Sequence, residues 1–205
     1  MTLLQDVEWE EPLVATQQDA ELEQWLKKHM GMVTPANRYL LGCPPLVHME
    51  SELEYAPLIH VDHELRGLIA LVVSQDNSCR FCYAATRVLL SIIGMPDERI
   101  RKLEHALQTA QYDPRVKPAL DFARRISRSN PPPSAADKKA LVEAGYGDEA
   151  IKELAFAAGG VVLANCVHTF PALPPQRTEW LAESWFARLF HPLLAWRMRP
   201  LLRRT

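Results

Sequence analysis

Proline and glycine fall at the edges of apolar-periodic stretches along this chain, and that punctuation constrains the fold more than any other feature. The 205 residues hold 16 prolines and only 8 glycines. Proline suits a first helical turn, where its missing N–H is not needed, and glycine suits the left-handed residue that closes a helix. Asp19 is placed to cap a helix ending at Gly31, with Leu22, Trp25 and Leu26 on its apolar side. Thr34 and Pro35 read as a cap followed by a first-turn proline. The stretch from Asp62 to Gln75 carries Leu65, Leu68, Ile69, Val72 and Val73 at helical spacing. Ser78 starts a second strong helix through Val88, Leu89, Ile92 and Ile93, closed by Gly94. Pro96 opens another, with Asp97 and Glu98 in the turn where the helix dipole favours anions. Asp113 and Pro114 open the next, which the prolines 131–133 end. Ser134 caps a short helix closed by Gly145, and Asp148 caps an apolar helix from Ala150 towards Val167. No stretch alternates apolar and polar residues between hairpin turns. The expectation is an all-α protein of roughly eight helices.

Composition narrows the function classes. With 48% hydrophobic residues, 23% charged residues and a net charge of -2, the chain fits neither a disordered tail nor a bulk nucleic-acid binder. The longest uncharged apolar run, Leu154 to Val167, is 14 residues and includes Asn165, short of the ~18 that a spanning helix needs. The acidic start MTLLQDVEWEEP does not read as a secretory signal, and 4 cysteines do not make a disulfide scaffold. The expectation is a cytoplasmic protein with one folded domain over 34–175, preceded by an acidic arm and first helix over 1–33 and followed by a basic, aromatic arm over 176–205. Residues 1–26 hold Asp6, Glu8, Glu10, Glu11, Asp19, Glu21 and Glu23 and no Lys or Arg. Residues 184–205 hold Arg188, Arg197, Arg199, Arg203 and Arg204 and no acidic side chain. Two such ends can pair with each other, or stand as separate solvated arms.

One motif carries sharp chemistry: Cys79-Arg80-Phe81-Cys82, at a helix start. A sulfur there meets free backbone N–H groups and the positive end of the dipole, both of which favour thiolate. A spacing of three sets the two sulfurs about one turn apart on the same side, close enough for a disulfide. Such a dithiol can reduce a substrate, become the disulfide and be re-reduced by exchange. A preceding helix rather than a strand argues against a thioredoxin-like context. Two other readings stay open: the cysteines as small buried hydrophobes, or Cys79 and Cys82 with Cys166 and His168 as a zinc set.

The run from Arg66 to Cys82, RGLIALVVSQDNSCRFC, resembles the signature helix pair of the alkylhydroperoxidase D and carboxymuconolactone decarboxylase superfamily, in its peroxidase-related branch. The helix with Asp121-Phe122-Ala123, the proline stretch, the segment from Leu141 to Asp148 and the apolar helix ending at Asn165 are similar too, so the resemblance covers about residues 36–175. It implies an all-α, AhpD-like helical fold whose helices pack across an oligomer interface. It also implies a centre in which Cys82 attacks a peroxide, Cys79 resolves it as a disulfide, and a dithiol partner returns electrons. The family's proton-moving glutamate corresponds to Gly67 here, its histidine to Thr86, and a further histidine between the cysteines to Phe81. Glu64, Thr86 and His168 are therefore the candidate auxiliaries. A hydroxyl at Thr86 can hydrogen-bond a thiolate but is no general base near neutral pH.

The expected function is a thiol-dependent hydroperoxide or disulfide reductase of attenuated activity, with no cofactor and no metal. Its alternatives are a non-catalytic oligomeric scaffold and a decarboxylase of the other branch. Expected partners are a small peroxide or disulfide, a dithiol reductant and further copies of the chain, with no nucleic acid. Residues 185–198 mix Trp185, Phe186, Phe190 and Trp196 with arginines, a surface suited to a neighbouring subunit more than to an anionic membrane.

Overall fold

Side-chain capping sets the starts of three helices, those that follow Asp19, Asp62 and Ser134. The computed structural model describes residues 11–92, 94–109, 113–129, 131–173 and 193. In α1 (Ala20–Met30) the Asp19 carboxylate accepts from the Leu22 N–H at 3.0 Å, and Gly31 closes the helix at φ 77°. Asp62 does the same for α4 (His63–Asp76), accepting from Leu65 N–H at 2.8 Å. Before α8 (Ala135–Glu143) the Asp137 carboxylate accepts from both the N–H and the hydroxyl of Ser134. α6 (Asp97–Thr109) follows Pro96 as expected and α3 (Pro44–Tyr55) begins on proline, while α5 (Arg80–Ile92) starts after Cys79 and not from Ser78, which takes a left-handed turn.

Three further starts differ from the sequence reading. Thr34 and Asn37 exchange hydrogen bonds, but Pro35 and Ala36 form a turn, so α2 is the single turn Asn37–Leu40. A turn over 114–116 delays α7 to Lys117–Arg128, with Asp113 bonded to the Arg115 N–H inside that turn. Gly147 rather than Asp148 is the cap residue of α9 (Asp148–Thr169), leaving Asp148 and Glu149 in its first turn, where anions are favoured. Among the described residues there are nine helices and no strand.

The core is in two clusters. The larger joins α4 (Leu68, Ile69, Leu71, Val72) with Tyr83 and Leu90 of α5, Leu120 and Phe122 of α7, and Leu154 and Ala158 of α9. The smaller joins Leu22, Leu26 and Met30 of α1 with Leu40 of α2, Leu41 just after it, Val47 of α3 and Val167 of α9. α9 thus enters the larger cluster with its first half and the smaller with its last turns. By length and composition α9 could cross a membrane, but Asp148, Glu149, Lys152 and Glu153 fill its first turns and it packs against α3, α4, α5 and α7. It is the central helix of the bundle.

Candidate active site

The turn between α4 and α5 builds the site. Asn77 ends α4, and Ser78 takes a left-handed φ of 54°, a conformation that costs a non-glycine residue about 1–3 kcal/mol. Surrounding bonds hold it. The Cys79 N–H donates to Ser74 O at 2.9 Å. Asn165, buried on α9, donates to Ser74 Oγ at 3.1 Å and accepts from the Asn77 amide at 3.0 Å. Cys79 O accepts from the Tyr83 N–H at 3.0 Å, which makes Cys79 the residue that caps α5. Its sulfur does what a serine or aspartate oxygen usually does there, accepting from the Cys82 N–H at 3.3 Å.

Cys79 and Cys82 are joined as a disulfide, their Cα atoms 5.3 Å apart. Cys79 is 0% exposed and Cys82 8%. Cys82 is thus the more accessible of the two, and the backbone N–H that reaches the Cys79 sulfur favours a thiolate there.

A side chain from outside the helix pair reaches the Cys82 sulfur, and a carboxylate side chain backs it. His168, near the end of α9, places Nδ1 3.7 Å from Cys82 Sγ. Its Nε2 lies 2.6 Å from Oε1 of Glu50 on α3, and both side chains are buried. The Glu50 Oε2 atom is buried without a hydrogen-bond partner. The Phe81 ring packs against the imidazole at a centroid distance of 4.9 Å. The carbonyl of Ala164 is 4.0 Å from Cys82 Sγ.

Of the sequence candidates, Cys79, Cys82 and His168 come together. Thr86 is buried one turn beyond Cys82, but its hydroxyl donates to Cys82 O at 2.9 Å rather than to a sulfur. Glu64 is on the outside of α4, paired with Arg99 of α6 at 2.6 Å, and belongs to the surface. Cys166 and Cys43 are free and exposed. Two residues before His168, Cys166 is turned some 200° away on the helix, so the four residues of the zinc reading do not converge; no group of three or more His, Cys, Asp or Glu among the described residues suits a metal. Glu50 was missed by the sequence reading. The available signal was slight: it shares an i, i+3 face with Val47, one of the fully buried side chains.

Beside the pair, Tyr83 of α5 donates to Glu104 of α6 at 3.0 Å, and Arg87 approaches the same oxygen at 2.9 Å. Burial pushes the Tyr83 hydroxyl well above its ordinary range, with Glu104 adding to it. Burial likewise raises Glu104, partly offset by Arg87. This trio ties α5 to α6 below the cysteines.

No family model matches the sequence, and no curated protein matches it. Solved structures do. A structure described as an alkylhydroperoxidase AhpD core, an uncharacterized peroxidase-related protein from Ralstonia eutropha JMP134, is similar with a TM-score of 0.70 at 19% identity, over 85% of this chain and 98% of that one. An uncharacterized peroxidase-related protein from Silicibacter sp. TM1040 is similar with a TM-score of 0.63 at 21% identity, over 83% and 95%. The helices of this chain are therefore arranged in the AhpD-like fold, the one its cysteine junction resembles by sequence.

Proposed function

We propose that this chain is a thiol-dependent peroxidase in which Cys82 attacks a small hydroperoxide and Cys79 resolves it. The observation that carries the reading is the pair itself: two cysteines at the cap and first turn of α5, already joined, with only the second reachable from solvent. The Cys82 thiolate takes the outer oxygen of ROOH, giving Cys82 sulfenic acid and ROH. Cys79 displaces that oxygen as water and forms the disulfide. An external dithiol attacks Cys82, Cys79 leaves as thiolate, and the dithiol departs oxidised. In sum, ROOH and a dithiol become ROH, water and a disulfide. The burial of Cys82 favours a small peroxide over a protein disulfide as oxidant, and a cytoplasmic setting would supply the thiols for re-reduction.

Thiol titration tests this. The reduced protein should lose two thiols per chain to a slight excess of hydroperoxide and regain them with a dithiol, with Cys43 and Cys166 still free on peptide mapping. A protein that keeps all its thiols under those conditions is a scaffold with this fold and not a peroxidase.

A further inference from the structure

Resting on the thiol reading above, we infer that Glu50 and His168 supply the proton transfer of this site, His168 as the base for Cys82 and Glu50 as the residue that positions it. Nε2 of His168 lies 2.6 Å from a carboxylate oxygen, which has no hydrogen to give, so Nε2 carries the hydrogen. The lone pair of the neutral ring is then on Nδ1, which faces Cys82 Sγ at 3.7 Å, within hydrogen-bonding reach for sulfur. Charge points the same way. Glu50 is buried with Oε2 lacking a hydrogen-bond partner, and a buried carboxylate is costly without a compensating charge. A proton moved from Cys82 to His168 supplies one.

Geometry closes the alternatives on α4 and α5. At Gly67 a side chain would run into Leu90, the Thr86 hydroxyl is committed to a backbone carbonyl, and Glu64 is paired with Arg99 at the surface. Glu50 from α3 and, from α5, Cys82 and the Phe81 ring are among the groups that meet the imidazole. Proton transfer is thus relocated to two helices that the cysteine motif does not contain. The step balances: the Cys82 thiol proton passes to Nδ1, the sulfur electron pair attacks ROOH, the O–O bond breaks towards RO⁻, and His168 returns the proton to give ROH.

The chain contains its own assay. Trypsin cuts after Arg80 and Arg87, placing Cys82 in peptide 81–87 and Cys79 in peptide 67–80. The reduced full-length protein is alkylated with iodoacetamide across a pH series, and peptide 81–87 is quantified. In His168→Gln the Cys82 profile should move up in pH towards the ~8.5 midpoint of an ordinary thiol. Disulfide formation by hydroperoxide at neutral pH should slow by about 10²-fold. Glu50→Gln, nearly the same size, should move the profile in the same direction by less, and it carries the test alone if His168→Gln loses its helical circular dichroism. Wild-type profiles in both variants would overturn the relay. A wild-type protein that loses no thiols to hydroperoxide would instead refute the peroxidase reading, while the alkylation profiles still decide what His168 does to Cys82.

Discussion

Gly67 occupies the position where the family resemblance expects a proton-moving glutamate, and in this chain the space is taken. A Cβ there would collide with Leu90 Cδ2 and stand 3.0 Å from Leu90 Cγ. Gly67→Ala should therefore destabilise the protein by about 1–3 kcal/mol, read from urea unfolding, because the α4–α5 contact must open to admit it. Gly67→Glu should cost more, so restoring the family residues at Gly67 and Thr86 together would damage the fold rather than the chemistry gaining from it. The cysteines were legible in the sequence because their chemistry is local: a spacing of three within one helical turn. Glu50 was not. Nothing in His48-Met49-Glu50-Ser51-Glu52 separates Glu50 from Glu52 until α3 and α9 are packed together, and that packing is a long-range fact. His168 was legible as a candidate, but its placement between Cys82 and Glu50 was not.

At the scale of elements, helix identity followed from apolar spacing, while starts followed from capping and turns that compete over a few residues. Asp19, Asp62 and Ser134 could be read because each cap bonds within its own first turn. The turns at Pro35 and at 114–116 could not, since proline is accepted equally by a first helical turn and by the turn before one. Glu153 shows a contact with no local signature. From α9 it accepts the N–H groups of Ile59, His60 and Val61 at 2.9, 2.7 and 3.0 Å, fastening the segment between α3 and α4. Burial alone would raise this carboxyl, but the three backbone donors outweigh it and hold it below its ordinary value. A depressed folded-state value contributes stability above the unfolded carboxylate value of about 4.3, lost as pH falls through the lower folded value. Glu153→Gln should be less stable than wild type at neutral pH, and the gap should close as the solution is acidified below about pH 4. Urea midpoints across that range check it; a gap independent of pH would mean that the carboxylate charge plays no part.

For the whole molecule, the fold class was legible because every long apolar stretch has helical period, and no strand competes among the described residues. Assembly was an expectation; of the two ends that prompted it, residues 1–10 and, apart from Leu193, 174–205 lie outside the described residues, while Asp19 caps α1 and Glu23 pairs with Lys27 and Arg38. Within them, α9 and its end leave Phe156 39% and Phe170 51% exposed, which is the kind of surface a second copy would cover. The expected outcome is a homo-oligomer at micromolar concentration in sedimentation, reduced in size by deleting residues 184–205; a stable monomer would contradict it. The two-cluster core gives the candidate site a mechanical standing as well. Glu50 and His168 each sit within a few residues of the smaller cluster, at Val47 and Val167, whereas Cys82 adjoins Tyr83 of the larger. The contacts that would move a proton therefore span the joint between two packed blocks, like a latch across a seam. A change of charge or bonding at the sulfur therefore acts on a contact that joins the two clusters rather than on one packed inside either.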